Sequence, residues 1–209
     1  GGRLIPLAAV HPRAVAIPSW RNPEVLSRAA KWVPRPEVEE ELSERLAEPI
    51  VRLTGAFGVG KTRLAWEVMR AAGEPSIWRN AALAALQPGA LPSIVTELET
   101  EPARPVWIVY DHLEEAPPQI WAEIEEIQKH PRLGSEIRLV LLARPATDWP
   151  AALASTPEIA LGPLDGEAWS RCAAQLFRGL SLPEAVAATL AAGAGGNPFA
   201  LEEALHFLV

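Results

Sequence analysis

The chain contains little cysteine, lysine or aspartate, and each shortage narrows what the protein can be. Among its 209 residues the one cysteine is Cys172, which excludes an internal disulfide and any multi-cysteine metal site. Arg and Glu supply most of the charge, and the few lysines and aspartates are Lys31, Lys61, Lys129, Asp111, Asp148 and Asp165. Lys61 and Asp111 therefore stand out in a chain that otherwise avoids these residue types.

Long apolar runs and an excess of positive charge are also missing. No apolar stretch approaches the roughly 20 residues that span a bilayer, and the first residues do not have the pattern of a secretory signal. We therefore expect no membrane partner and a cytoplasmic location. The formal net charge of −7 disfavours direct nucleic-acid binding by this chain, because such binding relies on Lys and Arg that neutralise phosphates.

The most informative segment is a glycine-rich loop at residues 54–62, with the sequence Thr-Gly-Ala-Phe-Gly-Val-Gly-Lys-Thr. It fits the P-loop pattern and lies between a predicted strand at 49–54 and a predicted helix at 63–70. Backbone N–H groups of the loop and the helix N-terminus would bind phosphates. The alternative is a plain glycine turn. The predicted nucleotide-binding residues of this segment are Gly55, Ala56, Phe57, Gly58, Val59, Gly60, Lys61, Thr62 and Arg63.

A second acidic position fits the same chemistry. Residues 105–111 form an apolar run that ends in Asp111 and predict a central parallel strand. A carboxylate at the end of such a strand lies beside the P-loop, so Thr62 and Asp111 are the predicted Mg²⁺ residues. The alternative for Asp111 is an ordinary acid that caps a turn at the strand end.

Three further residues at this edge of the predicted sheet are candidates for catalysis. Many hydrolytic P-loop ATPases carry a second acid directly after the first, but here that residue is His112. His112 or Glu114 could orient a water, although both also fit plain surface residues. Arg144 directly follows the predicted strand at 137–143 and could reach a γ-phosphate. The alternative for Arg144 is an exposed loop arginine. With Lys61 and Asp111, these three complete the predicted catalytic set.

Alternating strands and helices predict an α/β fold with a parallel sheet. Further strands are expected at 76–79 and 158–161, and further helices at 37–47, 81–86, 91–100 and 119–129. The helices predicted at 167–177, 183–192 and 198–208 would form a small helical lid. The predicted domains are an extended lead-in at 1–30, a P-loop ATPase core at 31–165 and the lid at 166–209.

With these motifs the chain resembles the STAND class of P-loop ATPases, and more narrowly the AAA-type module of large LuxR-type transcription regulators and related multidomain signalling proteins. The likeness rests on several segments that occur in the family's order. They are residues 32–37 (Trp-Val-Pro-Arg-Pro-Glu) with Glu41-Leu42 after them, the P-loop, residues 111–117 (Asp-His-Leu-Glu-Glu-Ala-Pro), residues 142–145 (Leu-Ala-Arg-Pro) and residues 195–203 (Gly-Gly-Asn-Pro-Phe-Ala-Leu-Glu-Glu). The sequence departs from the family pattern at Pro34, Pro36 and His112.

The resemblance implies a P-loop NTPase three-layer sandwich whose cofactors are ATP or ADP with Mg²⁺. It gives an adenine-side role to Trp32, Val33 and Arg35, and a base contact to Pro198 at the start of a lid helix. It also implies a fragment of a longer protein, which self-associates or contacts other domains of its parent.

The function that the resemblance implies, together with the P-loop, is an ATP/ADP-binding molecular switch of a signalling or regulatory protein, with slow hydrolysis that controls assembly or output. An interaction scaffold with a relic P-loop, without turnover, is the main alternative. A small-molecule kinase is less favoured, since the sequence shows neither an acceptor-binding cluster nor an arginine-rich flap. A guanine-reading Asn-Lys-x-Asp motif is also missing.

Overall fold

The computed structural model of the protein describes residues 32–73, 75–82, 94, 106–180 and 182–207. The predicted lead-in segment at 1–30 and most of the predicted helices at 81–86 and 91–100 lie outside these residues. Within them, no helix is long and apolar enough to cross a membrane.

The centre of the fold is a parallel sheet of five strands in the order β2-β3-β4-β1-β5. Every residue of β1 and β3 is buried, as expected of strands that are covered on both faces. The strands are β1 (Ile50–Gly55), β2 (Ser76–Asn80), β3 (Val106–Asp111), β4 (Ile137–Ala143) and β5 (Glu158–Leu161). The strands predicted from the apolar runs are confirmed within one or two residues.

Helices cover both faces of this sheet. On one face lie α1 (Pro36–Arg45) and α2 (Lys61–Ala72), and on the other lie α3 (Pro118–Gln128) and the short α4 (Ala151–Ala154). Helix α3 buries Ile120, Ile124 and Ile127, which share one helical face because they are three or four residues apart. The predicted three-layer α/β sandwich with a parallel sheet is therefore confirmed.

Three further helices follow the last strand: α5 (Gly166–Leu176), α6 (Glu184–Ala194) and α7 (Pro198–His206). They agree with the helices predicted for this part of the chain to within two residues. Helices α5 and α7 share a small core around Ala173, Leu201 and Leu205. The division into a core and a lid stays a prediction.

The sheet brings three segments to one edge. Gly55, Asp111 and Ala143 lie at the carboxyl ends of β1, β3 and β4, and β4 lies between β3 and β1. Strand β1 lies between β4 and β5. The chain continues from β1 to β2 at one end of the sheet, but from β4 past β1 to β5 at the other end, so the direction of the connections reverses beside β1. Ligands of open α/β sheets bind at such a reversal, outside the carboxyl ends of the strands.

Candidate nucleotide-binding site

The glycines of the loop are needed for its shape. Gly58 and Gly60 have φ angles of 78° and 103°, in the left-handed region that side chains disfavour. Gly60 is also the residue directly before helix α2. A Cβ at Gly55 would lie 2.6 Å from the carbonyl oxygen of Leu161. The structure therefore places a tight loop directly before a helix, as a phosphate-binding loop requires.

Lys61 turns its ammonium group into this loop. The Nζ atom donates hydrogen bonds to the carbonyl oxygens of Gly55 at 2.8 Å and Ala56 at 3.1 Å. Burial lowers the pKa of Lys61, while the carboxylates of Glu114 and Asp111 oppose this shift. A buried ammonium group with neutral carbonyl partners gains from a bound anion, since an opposite charge favours the charged form.

Thr62 and Asp111 are brought together at the start of α2. The Thr62 hydroxyl donates to Asp111 Oδ2 at 2.6 Å, and Asp111 Oδ1 accepts from the backbone N–H of His112 at 2.8 Å. Asp111 is buried. A hydroxyl and a carboxylate are oxygen ligands of the kind that Mg²⁺ binds, directly or through water. These two side chains therefore fit the predicted metal position.

Arg144 is held by acids at the same edge of the sheet. Its Nε atom lies 2.9 Å from Glu114 Oε1, and one terminal nitrogen lies 3.4 Å from Glu115 Oε1. His112 adopts a left-handed backbone conformation, with Nδ1 at 3.7 Å from Glu114 Oε1. The sequence placed His112, Glu114 and Arg144 near one site, and the structure brings them together. Glu114 pairs with the arginine rather than standing free to orient a water.

The segment predicted to lie on the adenine side of the nucleotide contacts the phosphate loop through Arg35. Arg35 donates to the carbonyl oxygens of Val59 at 2.9 Å and Gly162 at 2.7 Å, so it joins the P-loop to the end of β5. Burial lowers the pKa of Arg35, although Cys172 and Asp165 oppose the shift. The predicted contact of Arg35 with an adenine base stays a prediction. In the structure, Arg35 stabilises the loop.

The other residues of that prediction pack into two different clusters. Val33 is buried with Leu164 and Cys172, whereas Trp32 packs against the core on the α1 and α2 face of the sheet. Arg63, predicted at the nucleotide, forms an ion pair with Glu67 at 2.7 Å one turn further along α2.

The first turn of α7 packs directly on the P-loop. Asn197 Nδ2 donates to the carbonyl oxygen of Phe57 at 2.7 Å, and the rings of Phe57 and Phe199 meet edge to face at 4.8 Å. A Cβ at Gly58 would lie 2.5 Å from Phe199 Cβ. Pro198, predicted to contact the base, is the first residue of this helix.

The sequence pattern named Pro198 but missed Asn197 and Phe199 as contacts of the loop. The Asn197 side chain accepts hydrogen bonds from the N–H groups of Phe199 and Ala200, so it is a helix cap. An Asn-Pro pair is a recognisable start of a helix. That signal indicates the cap alone, because the contact with Phe57 spans 140 residues of chain.

Comparisons with known proteins support the fold and nothing finer. No protein-family model and no curated protein matches the chain. Solved structures do match, in 615 chains, and a fold so widely shared cannot by itself assign a function. One of them, from a study of the structural basis for katanin self-assembly, has a TM-score of 0.59 and 16% identity. The match covers 77% of this chain and 62% of that one. At this identity the likeness supports the α/β fold with its parallel sheet and no more.

Proposed function

We propose that this chain binds ATP or ADP with Mg²⁺ and works as a nucleotide-dependent switch. The observation that carries the proposal is the 2.6 Å hydrogen bond between Thr62 and Asp111, beside the buried Lys61 of a glycine-rich loop. This set of a cation and two metal-binding oxygens at a helix N-terminus is suited to a phosphate chain and its Mg²⁺.

Each residue of the site has a distinct part in this proposal. The N–H groups of the loop and the Lys61 ammonium bind phosphate oxygens. Thr62 and Asp111 hold Mg²⁺, which neutralises phosphate charge when it is bound. On the base side, the proposed contacts are those of Trp32, Val33, Arg35 and Pro198, as the family resemblance implies.

The switch is proposed from the contact of α7 with the loop. Asn197 and Phe199 contact residues that would surround a phosphate, so a nucleotide there would change the surroundings of α7. We propose a regulatory role of the STAND type, in which nucleotide state controls self-association or contact with other domains. Self-assembly is the subject of the katanin structure, and this supports testing it here.

Turnover in this proposal is slow. His112 occupies the position after Asp111, and Glu114 is paired with Arg144 at 2.9 Å, so neither arrangement supplies a free carboxylate to activate water. An arginine from another subunit or domain could be worth about three to five orders of magnitude in rate. We expect weak or absent steady-state hydrolysis by the isolated monomer, measured as phosphate release, and robust turnover by a proven monomer would contradict this.

One observation favours the second candidate, a scaffold with a relic P-loop. Lys61 already donates to two carbonyl oxygens of its own loop, so its ammonium group has hydrogen-bond partners without a phosphate. In that case the loop stabilises the fold and the chain serves as an interaction module.

Titration calorimetry on nucleotide-free protein separates these two functions. We expect ADP and ATP to bind with Mg²⁺ and to bind more weakly with EDTA, while GTP binds poorly. Thr62→Val removes the hydroxyl but keeps the shape, so it should remove the Mg²⁺ dependence. The matched control is Thr189→Val, because Thr189 is exposed on α6. Absence of binding for every nucleotide would leave the scaffold.

A further inference from the structure

Phe57 holds an unusual place in the loop, because its ring contacts groups from two separate elements. The edge-to-face contact with Phe199 of α7 has a centroid distance of 4.8 Å. The guanidinium carbon of Arg144, at the end of β4, lies 5.3 Å from the centroid of the same ring. The ring of a phosphate-loop residue therefore links the C-terminal helix to the arginine that is predicted to reach a terminal phosphate.

Arg144 is not free in this arrangement. Glu114 and Glu115 hold its guanidinium by ion pairs, and the Phe57 ring adds a cation–π contact. A guanidinium that moved from the ring toward a third phosphate would lose the cation–π contact. Binding of a triphosphate through Arg144 therefore competes with the contact to Phe57, whereas binding of a diphosphate does not.

Helix α7 also contacts the loop beyond the ring of Phe57. Asn197 donates to the Phe57 carbonyl oxygen at 2.7 Å, and Phe199 fills the space that a side chain at Gly58 would take. The first turn of α7 therefore contacts both the backbone and the ring of Phe57. A movement of the ring would alter the packing of α7 on the loop.

We propose that Phe57 is a positioning residue that couples Arg144 to helix α7 and so makes α7 respond to the third phosphate. The inference rests on the proposed nucleotide binding and deepens it. With a diphosphate, Arg144 stays on the ring and α7 stays seated on the loop. With a triphosphate, Arg144 leaves the ring, and α7 loses part of its support.

The first test measures the affinities for Mg-ADP and for the Mg complex of the β,γ-imido analogue of ATP. Phe57→Leu keeps an apolar side chain but removes the aromatic face that attracts a cation. The affinity for the triphosphate analogue should rise relative to ADP by about two- to fivefold, which corresponds to an exposed cation–π contact. The matched control is Phe207→Leu, since Phe207 lies at the far end of α7 and is 87% exposed.

Removal of Arg144 separates the proposed role of Phe57 from a merely structural role. In an Arg144→Gln background, Phe57→Leu should leave the ratio of the two affinities unchanged, because the competing cation is gone. An unchanged ratio in the single Phe57→Leu variant would overturn the proposal. The proposal would also be overturned if the ratio shifted equally with and without Arg144.

A second measurement needs no nucleotide. Hydrogen exchange of α7 in Phe57→Leu, Phe199→Leu and the double variant gives the coupling between the two rings. We expect it to be about two- to twelvefold in the opening equilibrium, as for an edge-to-face pair. Additive effects of the two substitutions on this exchange would show that the Phe57 ring does not hold α7 against the loop. If the wild type binds neither nucleotide, the proposed function and the response to the third phosphate both fail. The comparison of the single and double variants would still measure the contact between the Phe57 and Phe199 rings.

Discussion

The sheet and the C-terminal helices are stabilised to very different degrees. Strands β1 and β3 bury every residue, whereas helix α6 buries none, although it is mostly apolar. Helices α5 and α7 bury two residues each. Regions with few buried contacts open at lower free energy than the core. In the proposed switch, the buried sheet would carry the phosphate site and the less buried helices would respond to nucleotide.

The sharpest way to test this contrast is to make the same substitution in both regions. Leu53→Ala, in the fully buried β1, should lower the free energy of unfolding by about 2–5 kcal/mol. Leu180→Ala, between α5 and α6 and 38% exposed, should change it by less than about 1 kcal/mol. Denaturant unfolding measures both. Similar losses for the two variants would mean that the segment between α5 and α6 is as firmly packed as the sheet.

The next largest effect is expected at the phosphate loop. Lys61→Ala removes the buried cation, so the affinity for Mg-ADP should fall by at least about 30-fold, or 2 kcal/mol. Lys129→Ala is the matched control, because Lys129 is exposed and pairs with Glu125 on α3. Calorimetry measures both, and an affinity that survives Lys61→Ala would place the nucleotide elsewhere.

A smaller effect is expected where the two regions meet. Asn197→Ala removes the cap of α7 and the hydrogen bond to Phe57, and it should destabilise the protein by about 1 kcal/mol. Asn197→Asp keeps an oxygen for the cap but loses the Nδ2 donor. It should therefore retain most of the stability while it weakens the contact with the loop. Thermal unfolding checks the cap, and hydrogen exchange of α7 checks the contact; equal behaviour of the two variants in both measurements would refute this division.

The smallest effect concerns Cys172, which lies in α5 beside Val33 and Leu164. Burial raises the pKa of this thiol, although Arg35 opposes the shift. Because folding favours the protonated thiol, its contribution to stability falls as the pH rises past the ordinary thiol pKa. We expect slow reaction with a thiol reagent in the native protein and fast reaction in denaturant. Equally fast reaction in both would mean that α5 does not cover this cluster.

The strands could be predicted from the sequence because each contains apolar residues in a short run, and two of these runs lead directly into candidate site residues. Asp111 and Arg144 were found in this way. Short elements were missed: helix α4 has four residues, and the 3-10 turn at Leu113–Glu115 has three. Segments of that length are too short to show a helical period.

Contacts between distant residues could not be predicted from the sequence. The pairing of Arg144 with Glu114 joins residues that are 30 positions apart, and Asn197 contacts Phe57 across 140 positions. Each depends on the sheet order that brings the strand ends together. The roles of the predicted site residues stay predictions, and the position of Arg63 beside Glu67 gives no support for its predicted contact with nucleotide.

Hydrogen exchange with and without saturating Mg-ADP tests the central claim most directly, because it follows the loop and α7 in one experiment. At about 100 times the dissociation constant, ADP should stabilise the protein by roughly 2.7 kcal/mol. The account predicts greater protection both in the loop before α2 and in α7. Protection confined to the loop would contradict the switch, and unchanged exchange in both regions would contradict nucleotide binding itself.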